Sequence, residues 1–169
     1  MQVDVPEGDV SRIREPGFSL DLPGTWERAE GGEPGSLVYR ETEGIGTVTV
    51  MLLAVRPVYA IADRSRLHSD YMQHRSKFER GQRPSLQQSE PVGRQMEGSI
   101  EGSWSAVDVE SGRRQLHRVV LVGGVLADFC YEASDIDEAP FGERASLILD
   151  SAKVAVESSD EDLEASGPS

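Results

Sequence analysis

Three side chains in the last third of the chain are of the kinds that nucleophilic chemistry uses: His117, Asp128 and Cys130. They lie in RRQLHRVVLVGGVLADFCYEA, two β-rich runs (Gln115 to Val122 and Val125 to Glu132) joined at Gly123-Gly124, which together mark a tight hairpin. A two-residue loop sets His117 directly across from Cys130, and Val119 across from Asp128. Period-two alternation then brings the thiol, the imidazole and the carboxylate onto one face. In a cysteine site the base lowers the pKa of the thiol and the acid orients the base.

The same register carries a plainer reading. Leu121, Leu126, Trp104 and Ala106 fall on that face too, and among such neighbours a cysteine is a small buried hydrophobe. No helix terminus or Gly-rich loop next to Cys130 supplies oxyanion donors, and a residue in mid-strand is poorly placed to meet a substrate. The core reading therefore outweighs the enzyme reading. His68 and His74 are six residues apart on a helical stretch and face different sides, so they do not share a metal and read as surface or boundary histidines. The motifs GxSxG, HExxH, the Walker type and the EF-hand loop are absent. Gly98, Gly102 and Gly112 suit bulges and turns rather than phosphate cradles. No catalytic residue, metal or cofactor is expected.

The elements that must position these residues follow from pattern. Residues 1–17 mix charge with proline and glycine and are expected to be a flexible arm. Phe18 to Leu22 alternates and ends at Pro23-Gly24, with Trp26 as an apolar anchor. Strands are expected from Leu37 to Glu41 and from Gly46 to Val55, the second becoming apolar on both faces. Ala60 to Arg80 reads as a helix with Ile61, Leu67, Tyr71, Met72 and Phe78 near one stripe. Ser85 to Met96, interrupted by Pro91, belongs at a sheet edge. Ile100 to Val109 leads through Ser111-Gly112 into the hairpin. Phe141 to Val156 closes the domain as an amphipathic helix, with Phe141, Ala145, Ile148, Ala152 and Ala155 on its inner stripe. Residues 157–169, ESSDEDLEASGPS, are expected to be a disordered acidic tail.

At 169 residues the chain holds one domain, and its formal charge of -13 disfavours nucleic acid and anionic membrane surfaces as partners. No run is long enough for membrane insertion and no leader is evident at the N-terminus, so a cytoplasmic protein is expected. The stretch from Asp63 to Arg94 is nevertheless locally basic. It reads as a solvated helix face with pairs such as Arg66 with Asp70 and Arg75 with Glu79, or as a docking surface for an acidic partner, the chain's own tail included.

The segment FSLDLPGTW, followed by this order of strands and helices, resembles the Mog1/PsbP-like superfamily, including its DUF1795 and DcrB-type bacterial members, over about Phe18 to Val156. The resemblance implies an α+β fold, a mainly antiparallel sheet flanked by helices in an α/β/α sandwich. It also implies binding rather than catalysis: members bind a small GTPase, a photosynthetic complex or the apolar segments of secreted toxins. The functional expectation is a cytoplasmic chaperone or adaptor that presents a partly apolar sheet face, with Trp104, Val119, Leu121 and Leu126, to a partner protein. Homodimerisation through that face, an immunity-type inhibitor with an acidic surface, and a Cys-dependent enzyme are the alternatives.

Overall fold

In the computed structural model, residues 10–55 and 61–155 are described. Along the chain come β1 (Val10–Glu15), β2 (Phe18–Pro23), β3 (Trp26–Ala29), β4 (Ser36–Glu41), β5 (Thr47–Ala54), α1 (Ile61–Gln82), β6 (Leu86–Gln88) and β7 (Val92–Met96). Then follow β8 (Ser99–Asp108), β9 (Arg113–Val122), β10 (Val125–Ala133), α2 (Glu138–Asp150) and β11 (Lys153–Val154). The main sheet runs β3-β4-β5-β10-β9-β8-β6, with β7 also on β8, and a small sheet runs β1-β2-β11. Every pairing described is antiparallel, so the expected α+β architecture is the one found.

The glycine hairpin lies at the middle of the main sheet. Gly123 takes φ 56°, a value costly for any residue with a Cβ, and the tight loop fixes the register that pairs Cys130 with His117 and Asp128 with Val119. Side chains of β9 and β10 thus alternate between two differently built faces.

One face is sealed by apolar packing. Phe18, Leu20 and Leu22 of the small sheet and Phe141, Ala145, Ile148 and Leu149 of α2 close over Val48, Val50, Ala127, Phe129 and Tyr131. Phe18 meets Phe129 edge-on at 5.9 Å, and Tyr131 stacks on Phe141 at 5.3 Å. Arg118 satisfies the end of α2 by donating to Leu149 O at 2.8 Å and Ala152 O at 2.9 Å.

The other face lies under α1, over Ile100, Trp104, Val119, Leu121 and Leu126, with Met72 as the helix's buried apolar residue. α1 comes close because Gly93 and Gly102 face each other across β7 and β8. A Cβ at Gly102 would stand 2.6 Å from Met72 Sδ and 2.7 Å from His68 Cε1. A helix is about 10–12 Å wide and strands lie about 4.8 Å apart, so one helix covers roughly two strands. β5 is left partly bare, with Met51 half-buried and Leu53 37% exposed.

Several expectations need correction. From Val10 on, the stretch read as an arm is β1, held by β2 from Val10↔Pro23 to Glu15↔Phe18; residues 1–9 lie outside the described residues, as does the acidic tail. The closing helix ends at Asp150 rather than Val156. Ser151 N and Ala152 N turn back to Ile148 O and Leu149 O, and Lys153–Val154 leave as an edge strand on β2. Pro91 does split the segment before β8, into β6 and β7.

Candidate functional site

Trp104, Val119, Leu121 and Leu126, expected to meet a partner, are each no more than 1% exposed. The alternation that marked them as one apolar face was right, but α1 occupies it. His68 is likewise inside rather than at the surface: it is buried, with Nε2 2.9 Å from Val119 O. Burial lowers its pKa, so the neutral ring donates that proton to the carbonyl. Phe78, expected on the inner stripe, is 45% exposed, with the Arg75 guanidinium over its ring. The buried side of α1 carries His68, Met72 and Ser76, with Tyr71, Arg75 and Glu79 partly buried beside them. A search for apolar periodicity passes over such a face.

Of these, Tyr71, Arg75 and Glu79 belong to a network around His117. Its Nδ1 is 2.9 Å from Asp128 Oδ1 and its Nε2 is 3.1 Å from Glu79 Oε2, while its ring stacks on Trp104 at 4.0 Å. Tyr71 donates to the other Asp128 oxygen at 2.6 Å. Arg75 ties Glu79 to the β3–β4 loop, with Nε 3.5 Å from Glu79 Oε2 and Nη2 3.0 Å from Glu33 Oε2. The Gln115 amide donates to Glu79 Oε1 at 3.3 Å and lies 2.9 Å from His117 Nε2. Burial works against a charge on His117, yet the Asp128 carboxylate at its Nδ1 favours one and holds the ring above the ordinary histidine range. Burial also opposes charge on Asp128, where His117, Tyr71 and Arg75 prevail and depress its pKa. The result is a buried imidazole ring held between two carboxylates, Asp128 and Glu79.

The three residues singled out for cysteine chemistry do come together, on the floor of a cleft of about 390 Å³ between α1, β5, β9, β10 and residues 31–33. Burial pushes the Cys130 thiol up, beyond the lowering that His117 exerts, which works against the thiolate that nucleophilic chemistry needs. The cation that would hold a thiolate is spent on Asp128 and Glu79. At the mouth of the cleft Arg83 and Arg113 both reach Glu132 Oε2, at 3.2 and 2.8 Å. No group of His, Cys, Asp and Glu among the described residues is placed to hold a metal ion.

A second depression, of about 710 Å³, lies farther along the same flank of α1. Leu53, Val55, Leu67, Tyr71 and Leu126 line it, and Asp70, His74 and Lys77 stand at its side. Sequence reasoning missed both hollows, because alternation tells which side chains share a face and not how far a helix extends across it.

No family model matches the chain, and no curated protein matches it. Among solved structures, the cyanobacterial PsbP (CyanoP) of Synechocystis sp. PCC 6803 is similar at a TM-score of 0.64 and 15% identity, over 86% of this chain and 92% of that one. A protein of Bacteroides thetaiotaomicron VPI-5482 aligns at a TM-score of 0.42 and 15% identity, over 83% of this chain and 46% of that one. The chain has the Mog1/PsbP-like fold.

Proposed function

We propose that the chain is a non-catalytic protein-binding module, a chaperone or adaptor of the cytoplasm, that takes an apolar stretch of a partner polypeptide along the flank of α1. The observation that carries this reading is the incomplete cover of one sheet face. α1 spans the strands around β9, and an apolar hollow floored by Leu53, Val55, Leu67, Tyr71 and Leu126 is left open beside it. Open apolar hollows of this size are what docking segments fill. The pairing of His117 with Asp128 and Glu79, and the burial that pushes the Cys130 thiol up, support binding over catalysis. A single unpaired thiol suits a reducing compartment.

Placing a photo-crosslinking side chain at Leu53 in the source cell tests this. Leu147, 61% exposed on α2 behind the opposite face, is the control position. A discrete crosslinked protein at position 53 and none at 147 is the expected result. Crosslinks at both positions alike, or at neither, would end the reading.

A further inference from the structure

The cleft over Cys130 is bounded by parts of unequal strength. Its floor is β5, β9 and β10, joined by strand pairing, and α1 is tied to that floor through Tyr71, Glu79, Asp128 and His117. Another side is made by residues 31–33 of the β3–β4 loop, which runs EGGEPG from Glu30 to Gly35. All six loop residues are exposed.

This loop has hinges and a tip that keeps its own shape. Gly31 and Gly35 take φ 95° and 86°, and a Cβ at either would meet nothing within 4 Å, so neither is packed against the body. Between them Pro34 fixes one backbone angle, and Glu33 O accepts from Ser36 N at 3.0 Å and from Ser36 Oγ at 2.7 Å. Gly32 rests on Val38 of the loop's own strand, where a Cβ would stand 2.5 Å from Val38 Cγ2.

Among the contacts described for these residues, one side chain reaches across the cleft. Glu33 Oε2 accepts from Arg75 Nη2 of α1 at 3.0 Å. Glu33 is 45% exposed and Arg75 22%, so water and salt weaken the pair and it holds the loop by a small margin. Arg75 does not depend on it. Its Nε is 3.5 Å from Glu79 Oε2, and its guanidinium lies over the Phe78 ring. Releasing Glu33 frees the loop and leaves the helix in place.

We infer that the β3–β4 loop is a lid on this cleft, with Gly31 and Gly35 as its hinges and the Glu33–Arg75 pair as a latch that salt releases. Closed, the lid screens the floor at Cys130, His117 and Gln115 from bulky solutes. Open, it joins the cleft to bulk water along β4. The cleft shares no lining residue with the apolar hollow beside Leu53, so the lid is independent of the protein-binding reading.

Cys130 is the only cysteine of the chain and lies on the cleft floor, so its rate of alkylation reads the lid. The full chain is treated at one pH with iodoacetamide, which is small, and with an uncharged maleimide that carries a polyethylene glycol chain. Wild type is compared with Glu33→Gln, Glu33→Lys and Glu30→Gln, the last removing the same charge from the same loop away from the latch. The bulky reagent should react about two- to fivefold faster with Glu33→Gln, the range that a half-exposed ion pair commands, and at least as fast with Glu33→Lys. Glu30→Gln should keep the wild-type rate. Raising salt from about 0.1 to about 1 M should quicken wild type by a similar factor and leave Glu33→Gln unmoved. Iodoacetamide rates should differ less among the four proteins, and their urea midpoints should coincide. Equal rates with the bulky reagent for wild type and both Glu33 variants, no reaction included, would overturn the lid. So would an equal rise in Glu30→Gln, which would reduce the effect to loop charge, or a rise matched by a lower urea midpoint, since the whole domain rather than the loop would then be opening.

Discussion

The two faces of the central sheet are held by different physics. The face toward α2 and the small sheet is closed by interlocking aliphatic and aromatic side chains, Phe129 between Phe18 and the strands of the hairpin. The face toward α1 keeps a small apolar patch under Met72 and relies beyond it on hydrogen bonds and ion pairs through Tyr71, Glu79, His117 and Asp128. Apolar packing needs only area and fit. A buried ionic network needs every partner in place, because each group it leaves unpaired carries the full cost of its lost hydration. The sealed face thus supplies bulk stability, and the networked face fixes where α1 lies and what it leaves open.

Substitutions can break the contrast. The largest loss is expected on the sealed face: Phe129→Ala should cost about 3–5 kcal/mol, read from urea unfolding, with an unchanged dependence on pH. Asp128→Asn should cost roughly 3 kcal/mol or more by leaving His117 with one carboxylate and Tyr71 without its charged acceptor, and this loss should vary with pH.

The pH profile sharpens the comparison further. In the folded chain His117 titrates well above the ordinary 6.5, so its contribution is complete below that value and is lost as pH rises through the higher folded pKa. Asp128 is depressed below 3.8, so its contribution is present above that value and is lost as pH falls through its folded pKa. Thermal unfolding followed across pH should therefore decline at both ends, and His117→Gln should flatten the alkaline limb and weaken the acid one, since His117 is the first of the groups that depress Asp128. The smallest effect is expected in the apolar hollow: Leu53→Ser should change stability by no more than about 0.5 kcal/mol, since the side chain is only partly covered. A larger loss there would mean that the floor of the hollow belongs to the core.

Legibility in the sequence follows the same division. The hairpin was readable to the residue, because Gly-Gly permits a two-residue loop and the register of both strands follows from it. The strands and α2 were readable where burial is apolar and periodic, as with Phe141, Ala145 and Ile148. The inward side of α1 was not, because His68, Ser76, Arg75 and Glu79 look like solvent-facing residues until the sheet beneath them supplies partners. Arg75 with Glu79 was foreseen as a pair on a solvated face; the pair forms, at 3.5 Å, but it is partly buried and is the outer link of the His117 network. β1 went unread because its residues alternate between exposed and half-buried without a strong apolar side, and β11 because two residues carry no period. The trio of His117, Asp128 and Cys130 was brought together correctly by register. What it does depended on Glu79, contributed from a helix whose position the register does not encode.

The facing glycines of β7 and β8 give that position a simple control. At Gly102 and Gly93 the ring of His68 and the thioether of Met72 rest almost on bare backbone, so the standoff of a 22-residue helix is set by two absent methyl groups. A single carbon at residue 102 would act as a shim, tilting the helix at its midpoint and widening or narrowing the channel along its side without altering any residue that lines it.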